Sequence, residues 1–268
     1  MGAVVPGGVY ALDNDEPTGE AVLRCLAGVL DESTRRRLTE VQVPINGRCL
    51  ELGAGLGTVA GWMTSRVGLH GQVFAVDVKP QHVQPYPGVT VVAADVRVPE
   101  DLPAGLFDLI HARLLYAHLP SRELLVADLV RRLAPGGALC VEEWGGIGGA
   151  RMLVCADPAG PEVFDQYQQA LLEVFERQGN DPTWCVRMHA VLQRAGLVEV
   201  TTQTSARSWP GGTPGCDLAV AVSTELHDQL VEVGMTPDDL DRLRHVLADH
   251  RTVLMGNTTW STIGLRPA

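Results

Sequence analysis

A glycine-rich segment between two apolar stretches most constrains the fold of this chain. Residues 49–58 read Cys-Leu-Glu-Leu-Gly-Ala-Gly-Leu-Gly-Thr, so an apolar strand ends at Leu52 and three alternating glycines follow it. Glycine lets the backbone turn sharply toward a ligand, and Thr58 is predicted to begin a helix whose free amides face that ligand. Asp77 ends the next apolar run, where an acid accepts hydrogen bonds from ribose hydroxyls in dinucleotide-binding folds. The spacing therefore predicts a nucleotide-binding crevice.

The glycine spacing and a nearby acid separate two cofactors that such a crevice could hold. A dinucleotide pyrophosphate favours Gly-x-Gly-x-x-Gly, whereas this segment carries Gly53, Gly55 and Gly57. Glu51 lies just before the glycines, and an acid there suits the ammonium and sulfonium of S-adenosylmethionine better than a diphosphate. At these residues the chain resembles the class I S-adenosylmethionine-dependent methyltransferase family, whose first motif is acid-x-Gly-x-Gly-x-Gly. An NAD-dependent oxidoreductase is the weaker alternative.

The resemblance continues through four ordered motifs between about residues 47 and 141. Residues 91–96 resemble the family's third strand, whose terminal acid, here Asp95, binds the adenine amino group. Residues 107–113 resemble the fourth strand, which passes the methionine part of the cofactor, and 133–143 resemble the following turn and fifth strand.

Within the family, the chain is most similar to small-molecule methyltransferases of bacterial secondary metabolism. The features that carry this likeness are Tyr10-Ala11-Leu12-Asp13 near the N-terminus and His111-Ala112-Arg113 in the fourth strand.

Alternating strand and helix patterns predict an α/β fold with a parallel sheet covered on both faces. The resemblance implies a Rossmann-like sheet of seven strands, mostly parallel with an antiparallel last strand, preceded by an N-terminal helix and elaborated by helical lid insertions. We expect residues 1–45 to form an N-terminal helical cap and 46–268 the methyltransferase domain. Acceptor-binding lid elements are expected around 145–195 and 210–252.

The candidate site residues follow from strand ends and from the resemblance. Base candidates are His111, His118 and Glu143, each of which could instead be structural. Predicted acceptor contacts are Trp144, Trp184 and His189. Predicted cofactor contacts are Tyr10, Glu51, Gly53, Ala54, Gly55, Asp77, Val78, Asp95, Val96, His111, Ala112 and Arg113.

Composition excludes several partner classes. The net charge of −11 argues against nucleic acid, since phosphate binding needs clustered Lys and Arg. The six cysteines are neither paired nor densely spaced, and the sequence shows no signal peptide or membrane-spanning run, so a cytoplasmic location is expected. We expect no bound metal, because His and Cys show no ligand spacing. A homodimer through the N-terminal segment is a further hypothesis.

The predicted activity is methyl transfer from S-adenosylmethionine, leaving S-adenosylhomocysteine, to a small, largely apolar, natural-product-like acceptor. Oxygen is the expected acceptor atom, with nitrogen and carbon left open. The transfer is an in-line displacement that depends on orientation and can be assisted by a general base. Two further functions fit the same sequence pattern, namely non-catalytic S-adenosylmethionine binding and a non-methylating reaction on the same fold.

Overall fold

A twisted sheet of seven strands forms the centre of the molecule in the computed structural model, which describes residues 17–146 and 148–268. Its strands, in chain order, are β1 (Arg48–Leu52), β2 (Gln72–Asp77), β3 (Val89–Ala93), β4 (Phe107–Arg113), β5 (Leu133–Trp144), β7 (Val198–Ser205) and β10 (Thr259–Leu265). A smaller sheet contains β6 (Arg151–Val154), β8 (Ser208–Pro210) and β9 (Val253–Met255).

The strand order of the central sheet is β3-β2-β1-β4-β5-β10-β7. Strands β1 to β5 pair in parallel, and β10 runs antiparallel to both of its neighbours. The order reverses between β1 and β4, which places a crevice beyond the carboxyl ends of these two strands. The predicted mostly parallel sheet with an antiparallel last strand is confirmed.

Eight helices of four or more residues surround the two sheets in the described part of the chain. They are α1 (Pro17–Leu38), α2 (Thr58–Val67), α3 (Arg122–Arg132), α4 (Gly160–Arg177), α5 (Trp184–Arg194), α6 (Pro214–Glu225), α7 (His227–Glu232) and α8 (Pro237–Ala248). Three short 3₁₀ turns span Pro80–His82, Pro99–Asp101 and Tyr116–His118.

Helices cover both faces of the central sheet, which is why successive residues of its middle strands are buried instead of alternating between buried and exposed. Helices α3 and α5 pack on one face through side chains such as Leu129 and Met188. Helix α2 packs on the other face, where Met63 and Leu38 of α1 are fully enclosed.

A second hydrophobic cluster joins α1, α4, α6, α7 and α8 with the small antiparallel sheet. That sheet was not expected from the sequence, because strands of three or four residues are too short for a visible alternation. Helices α6 and α7 are separate because the chain bends at Leu226, whose side chain is buried in the cluster.

Two absences are established for the described residues only. No helix among 17–146 and 148–268 combines the length and apolarity needed to cross a membrane. The same residues contain no group of three or more His, Cys, Asp or Glu side chains suited to a metal ion.

The start of α8 provides a test of the second cluster. Thr236 Oγ1 accepts the backbone amide of Asp239 at 3.1 Å, and the Asp239 carboxylate accepts the amide of Thr236 in return. We expect Thr236→Ala to lower the free energy of unfolding by about 1 kcal/mol in denaturant titration. Thr224→Ala, at an exposed position of α6, is the control and should change it by less than about 0.5 kcal/mol. Equal losses in both variants would contradict a specific capping role.

Candidate functional site

The glycine-rich segment after β1 adopts the sharp turn that its sequence predicts. Gly53, Gly55 and Gly57 have φ values of 66°, 54° and 72°, a region that disfavours other residues. A Cβ atom on Gly55 would lie 3.2 Å from the Leu23 side chain of α1, so the turn also allows α1 to approach closely. Helix α2 then begins at Thr58, with its amino end beside the turn.

Asp77, at the end of β2, holds this turn in place. Its Oδ2 accepts the backbone amide of Gly55 at 2.9 Å, and its Oδ1 accepts that of Lys79 at 2.9 Å. Burial raises the pKa of Asp77, while these two hydrogen bonds act in the opposite direction. The carboxylate therefore fixes the loop geometry as well as facing the crevice.

A large cavity of about 590 Å³ lies at this edge of the sheet. We call it the larger cavity, and α1 covers one side of it with Leu23, Leu26 and Ala27. Its lining brings together nine of the residues predicted to bind the cofactor, namely Glu51, Gly53, Ala54, Gly55, Asp77, Val78, Asp95, Val96 and Arg113.

The lining of the larger cavity after β2 and β3 combines apolar side chains with a charged pair. Val78, directly after β2, exposes 66% of its surface, whereas Val96 is largely buried; both line the larger cavity. Asp95 makes a two-pronged contact with the Arg97 guanidinium, which holds the pKa of this carboxyl below its ordinary value. Asp95 thus reaches the cavity as an ionised, already paired group.

A buried row of charged side chains crosses the sheet behind the larger cavity. Glu51 and His111 face each other in the register of β1 and β4, with 3.7 Å between Oε1 and Nδ1. On its other side, His111 Nε2 lies 3.3 Å from Glu142 Oε2. Burial alone would lower the pKa of His111, but the two carboxylates outweigh it and raise that pKa. His111 is fully enclosed and lines neither cavity, so the structure gives it no access to an acceptor.

Arg113 joins this row to α1. Its guanidinium donates to Thr34 Oγ1 at 2.9 Å and to Asp31 Oδ1 at 3.0 Å, and Thr34 in turn donates to Glu142. Arg113 is one of the predicted cofactor contacts. In the structure its fork is instead engaged by α1, although the side chain still borders the larger cavity.

A second cavity of about 90 Å³ adjoins the first and shares Leu26, Leu114 and His118 with it. We call it the smaller cavity. Glu143 and Trp144, at the end of β5, line it. The remaining walls are mostly apolar and come from α1, α4 and α6 through Val22, Leu171, Phe175, Leu218 and Val222.

Glu143 is the most perturbed acid in the smaller cavity. Its Oε1 accepts the backbone amides of Leu115, Tyr116 and Ala117 at 3.1, 2.7 and 3.3 Å. These amides converge because Leu114 has a φ of 51°, which turns the chain sharply after β4. Burial raises the pKa of Glu143 to about 7, although the three amides act to lower it.

His118 stands at the junction of the two cavities. Its Nδ1 lies 3.2 Å from the Asn180 amide nitrogen, and its ring packs against Phe175. Burial, followed by the charge of Arg122, lowers the pKa of His118 to about 4. The imidazole is therefore neutral near pH 7 and is a weaker base than Glu143.

Several predicted site residues lie elsewhere. Trp184 is fully buried and stacks on Tyr116 in the core, with ring centroids 5.8 Å apart. His189 lies within 2.9 Å of Thr202 Oγ1 on β7, and Ala112 is enclosed within β4. None of these three predicted residues lines either cavity. Tyr10 falls outside the described residues.

The residues that sequence reasoning missed come mainly from the helices. Leu23 and Ala27 of α1 look like ordinary core positions in the sequence, and Gln178 and Gln229 carry no motif, yet all four line the larger cavity. Only the packing of α1 and of the second cluster onto the sheet edge brings them there.

The sequence matches a known protein family over most of its length. A family model described as a methyltransferase domain matches residues 26–211, which is more than half of the chain. The chain belongs to this methyltransferase family. The resemblance to class I S-adenosylmethionine-dependent methyltransferases is thereby confirmed, as is the Rossmann-like fold.

Two curated relatives come from the fungus Strobilurus tenacellus. Methyltransferase str2 is 32% identical over 109 residues, which cover 40% of this chain and 38% of the relative. Methyltransferase str3 is 30% identical over 108 residues, which cover 40% of this chain and 39% of the relative. The alignments therefore span less than half the length of these relatives.

Solved structures share the fold at low sequence identity. Phosphoethanolamine N-methyltransferase 2 of Haemonchus contortus, in complex with phosphomonomethylethanolamine and S-adenosylhomocysteine, superposes with a TM-score of 0.58 at 14% identity. The match covers 97% of this chain and 61% of that one. The YcgJ protein of Bacillus subtilis gives a TM-score of 0.56 at 13% identity and covers 89% and 99% of the two chains.

The raised pKa of Glu143 predicts a pH-dependent stability. A carboxyl whose pKa rises from 4.5 to about 7 on folding favours the native state below pH 4.5, and this contribution is lost as pH rises through 7. Between about pH 4 and pH 8 we expect wild type to lose about 3 kcal/mol of unfolding free energy more than Glu143→Gln. The glutamine oxygen can still accept the three backbone amides.

Denaturant titration at both pH values measures this difference. Glu123→Gln, which removes an acid that is largely exposed on α3, is the matched control and should follow wild type. If Glu143→Gln follows wild type as well, Glu143 does not carry a raised pKa.

Proposed function

We propose that this protein transfers the methyl group of S-adenosylmethionine from the larger cavity to a small, largely apolar acceptor in the smaller cavity. One observation carries the proposal. The cavity lined by the glycine turn, Glu51 and Asp77 meets a mostly apolar cavity that contains Glu143, and the two share Leu26, Leu114 and His118. This junction is where a methyl group would pass from one cavity to the other.

The larger cavity suits the chemical groups of the donor. Glu51 Oε2 is buried and has no hydrogen-bond partner among residues 17–146 and 148–268, so it offers an unused acceptor to the ammonium of the methionine part. Asp77 would accept the ribose hydroxyls, and the apolar surfaces of Val78 and Val96 would sandwich the adenine beside Asp95. When bound, S-adenosylmethionine supplies an electrophilic methyl carbon on a positively charged sulfur.

The smaller cavity suits an acceptor that must lose a proton. Its mostly apolar walls exclude water from the reacting end, and an enclosed carboxyl with a pKa of about 7 is well matched to general-base work near neutrality. Glu143 is therefore our candidate base. We assign His118 to orienting contacts at the junction, because its low pKa makes it a poor proton acceptor.

The arrangement of lids and partners belongs to the same proposal. Residues 145–195 and 210–252 contribute acceptor-side walls through α4, α5 and α6, which supports their role as lid elements. Helix α1, in the 1–45 cap segment, closes one side of both cavities. The natural-product-like character of the acceptor rests on the resemblance to bacterial enzymes of secondary metabolism. Homodimerisation and a cytoplasmic location stay predictions.

Calorimetric titration with S-adenosylmethionine, S-adenosylhomocysteine and NAD tests the donor site. We expect both sulfur compounds to bind and NAD not to bind. Asp77→Ala should weaken S-adenosylhomocysteine by about 1.5 to 3 kcal/mol, the value of hydrogen bonds to a charged group. Asp101→Ala, an exposed acid outside the cavity lining, should leave the affinity unchanged.

Thermal melting of both variants separates a binding effect from a folding effect, since Asp77 also holds the glycine turn. Unchanged affinity in a folded Asp77→Ala would remove Asp77 from the ribose site. Binding of NAD alone would overturn the proposed donor.

A further inference from the structure

The charges that line the smaller cavity restrict what can enter it. Among the described residues of its lining there is no Lys or Arg, and its two acids are Glu143 and Asp181. A carboxylate or phosphate on the acceptor would therefore meet two carboxylates and no Lys or Arg side chain in the lining. The reacting end of the acceptor must be neutral or positively charged.

The two acids differ in the ion pairs and hydrogen bonds that they already make. Asp181 is bound by the guanidinium groups of Arg122 and Arg187 and by Thr183, and its pKa is below the ordinary value. Within the part of the chain that the structure describes, no guanidinium forms such an ion pair with Glu143. Its three hydrogen bonds come from backbone amides, and all of them go to Oε1 rather than to Oε2. Glu143 is thus the acid of this cavity that has capacity for a ligand.

We propose that the acceptor atom is the nitrogen of a small aliphatic amine, which enters as an ammonium ion and gives its proton to Glu143. The inference rests on the proposed methyl transfer and names the substrate class of the same site.

The apolar surroundings favour this proton transfer for an amine in particular. An ammonium and a carboxylate form an ion pair, and burial away from water destabilises both charges. Proton transfer to Glu143 replaces that pair with a neutral amine and a neutral acid. With a hydroxyl acceptor, one negative charge is present before the proton transfer, on Glu143, and one is present after it, on the acceptor oxygen. Burial therefore does not favour proton transfer from a hydroxyl in the same way. The cavity therefore drives an amine toward its nucleophilic form.

The reaction balances without any further reactant. The Glu143 carboxylate takes the ammonium proton and becomes a carboxylic acid, which restores the nitrogen lone pair. That lone pair forms the new bond to the methyl carbon as the carbon–sulfur bond breaks, and the bonding electrons go to sulfur. The products are an N-methylammonium ion and the uncharged thioether S-adenosylhomocysteine, so the positive charge of the sulfonium ends on nitrogen.

The cavity volume limits the size of the buried end. An engineered apolar cavity of about 150 Å³ holds benzene, whereas the smaller cavity is about 90 Å³. A short branched aliphatic group fits this space better than an aromatic ring. Phe175, Leu171 and Leu218 supply the apolar contacts for such a group.

Three probes of the same shape test the inference, namely isobutylamine, isobutanol and isobutyrate. Each is titrated calorimetrically into the protein saturated with S-adenosylhomocysteine, and methylated products are sought by mass spectrometry with S-adenosylmethionine. We expect isobutylamine to bind about tenfold more tightly than isobutanol, because only the amine enters as a cation that the Glu143 carboxylate attracts and from which it takes a proton. Isobutyrate should not bind, and N-methylisobutylamine should be the methylated product.

Glu143→Gln should reduce the preference for the amine over the alcohol to below about threefold and lower amine turnover about 10²- to 10⁴-fold. Its affinity for S-adenosylhomocysteine should equal that of wild type, which also shows that it folds. Glu123→Gln removes the same charge outside both cavities and should behave as wild type.

The outcomes separate this inference from the proposed function. Preferential binding or methylation of isobutanol, or an amine preference that persists in Glu143→Gln, would overturn the nitrogen acceptor while leaving methyl transfer intact. Binding of S-adenosylhomocysteine with no binding of any probe would also overturn it. Failure of the protein to bind S-adenosylhomocysteine would overturn the proposed function and the inference together.

Discussion

The buried contact of His111 with Glu51 and Glu142 is the interaction on which the rest of the site depends. The register of neighbouring parallel strands sets Glu51 opposite His111, and Glu142 lies on the following strand. Two carboxylates in an apolar interior would repel each other. The imidazole between them lowers the pKa of Glu142, and the two carboxylates in turn raise the pKa of His111. The row continues through Thr34 and Arg113 to α1. A charge at the glycine turn is thereby connected to the helix that covers both cavities.

The two cavities use carboxylates in different ways. In the larger cavity, Asp77 and Asp95 are each held by defined donors, namely backbone amides and the Arg97 guanidinium, so their positions are fixed. In the smaller cavity, Glu143 is enclosed by mostly apolar walls, and burial dominates its proton affinity. The first arrangement suits recognition of a ligand by fixed hydrogen bonds, and the second suits movement of a proton. Both kinds of acid come from strand ends of one sheet.

The sequence predicted the central sheet well because its signals are local. The strand segments β1, β2 and β4 are largely buried, and the glycines between β1 and α2 permit the positive φ values that the turn requires. The misplaced site residues have the opposite character. Trp184 lies on an amphipathic helix whose buried side points into the core, and His189 reaches Thr202. Which face of such a helix meets a cavity depends on packing between distant segments.

The amino-acid sequence by itself determined the strand and helix pattern, the glycine turn and the acids Glu51, Asp77 and Asp95 at strand ends, because each depends on residues close together in the chain. Tertiary structure alone decided that α1 closes both cavities, that His111 is an enclosed ion-pair partner, and that Glu143 faces the smaller cavity with a raised pKa. These properties arise from burial and from charges contributed by segments far apart in sequence. The proton affinity of a side chain is set by those surroundings, and a linear pattern does not contain them.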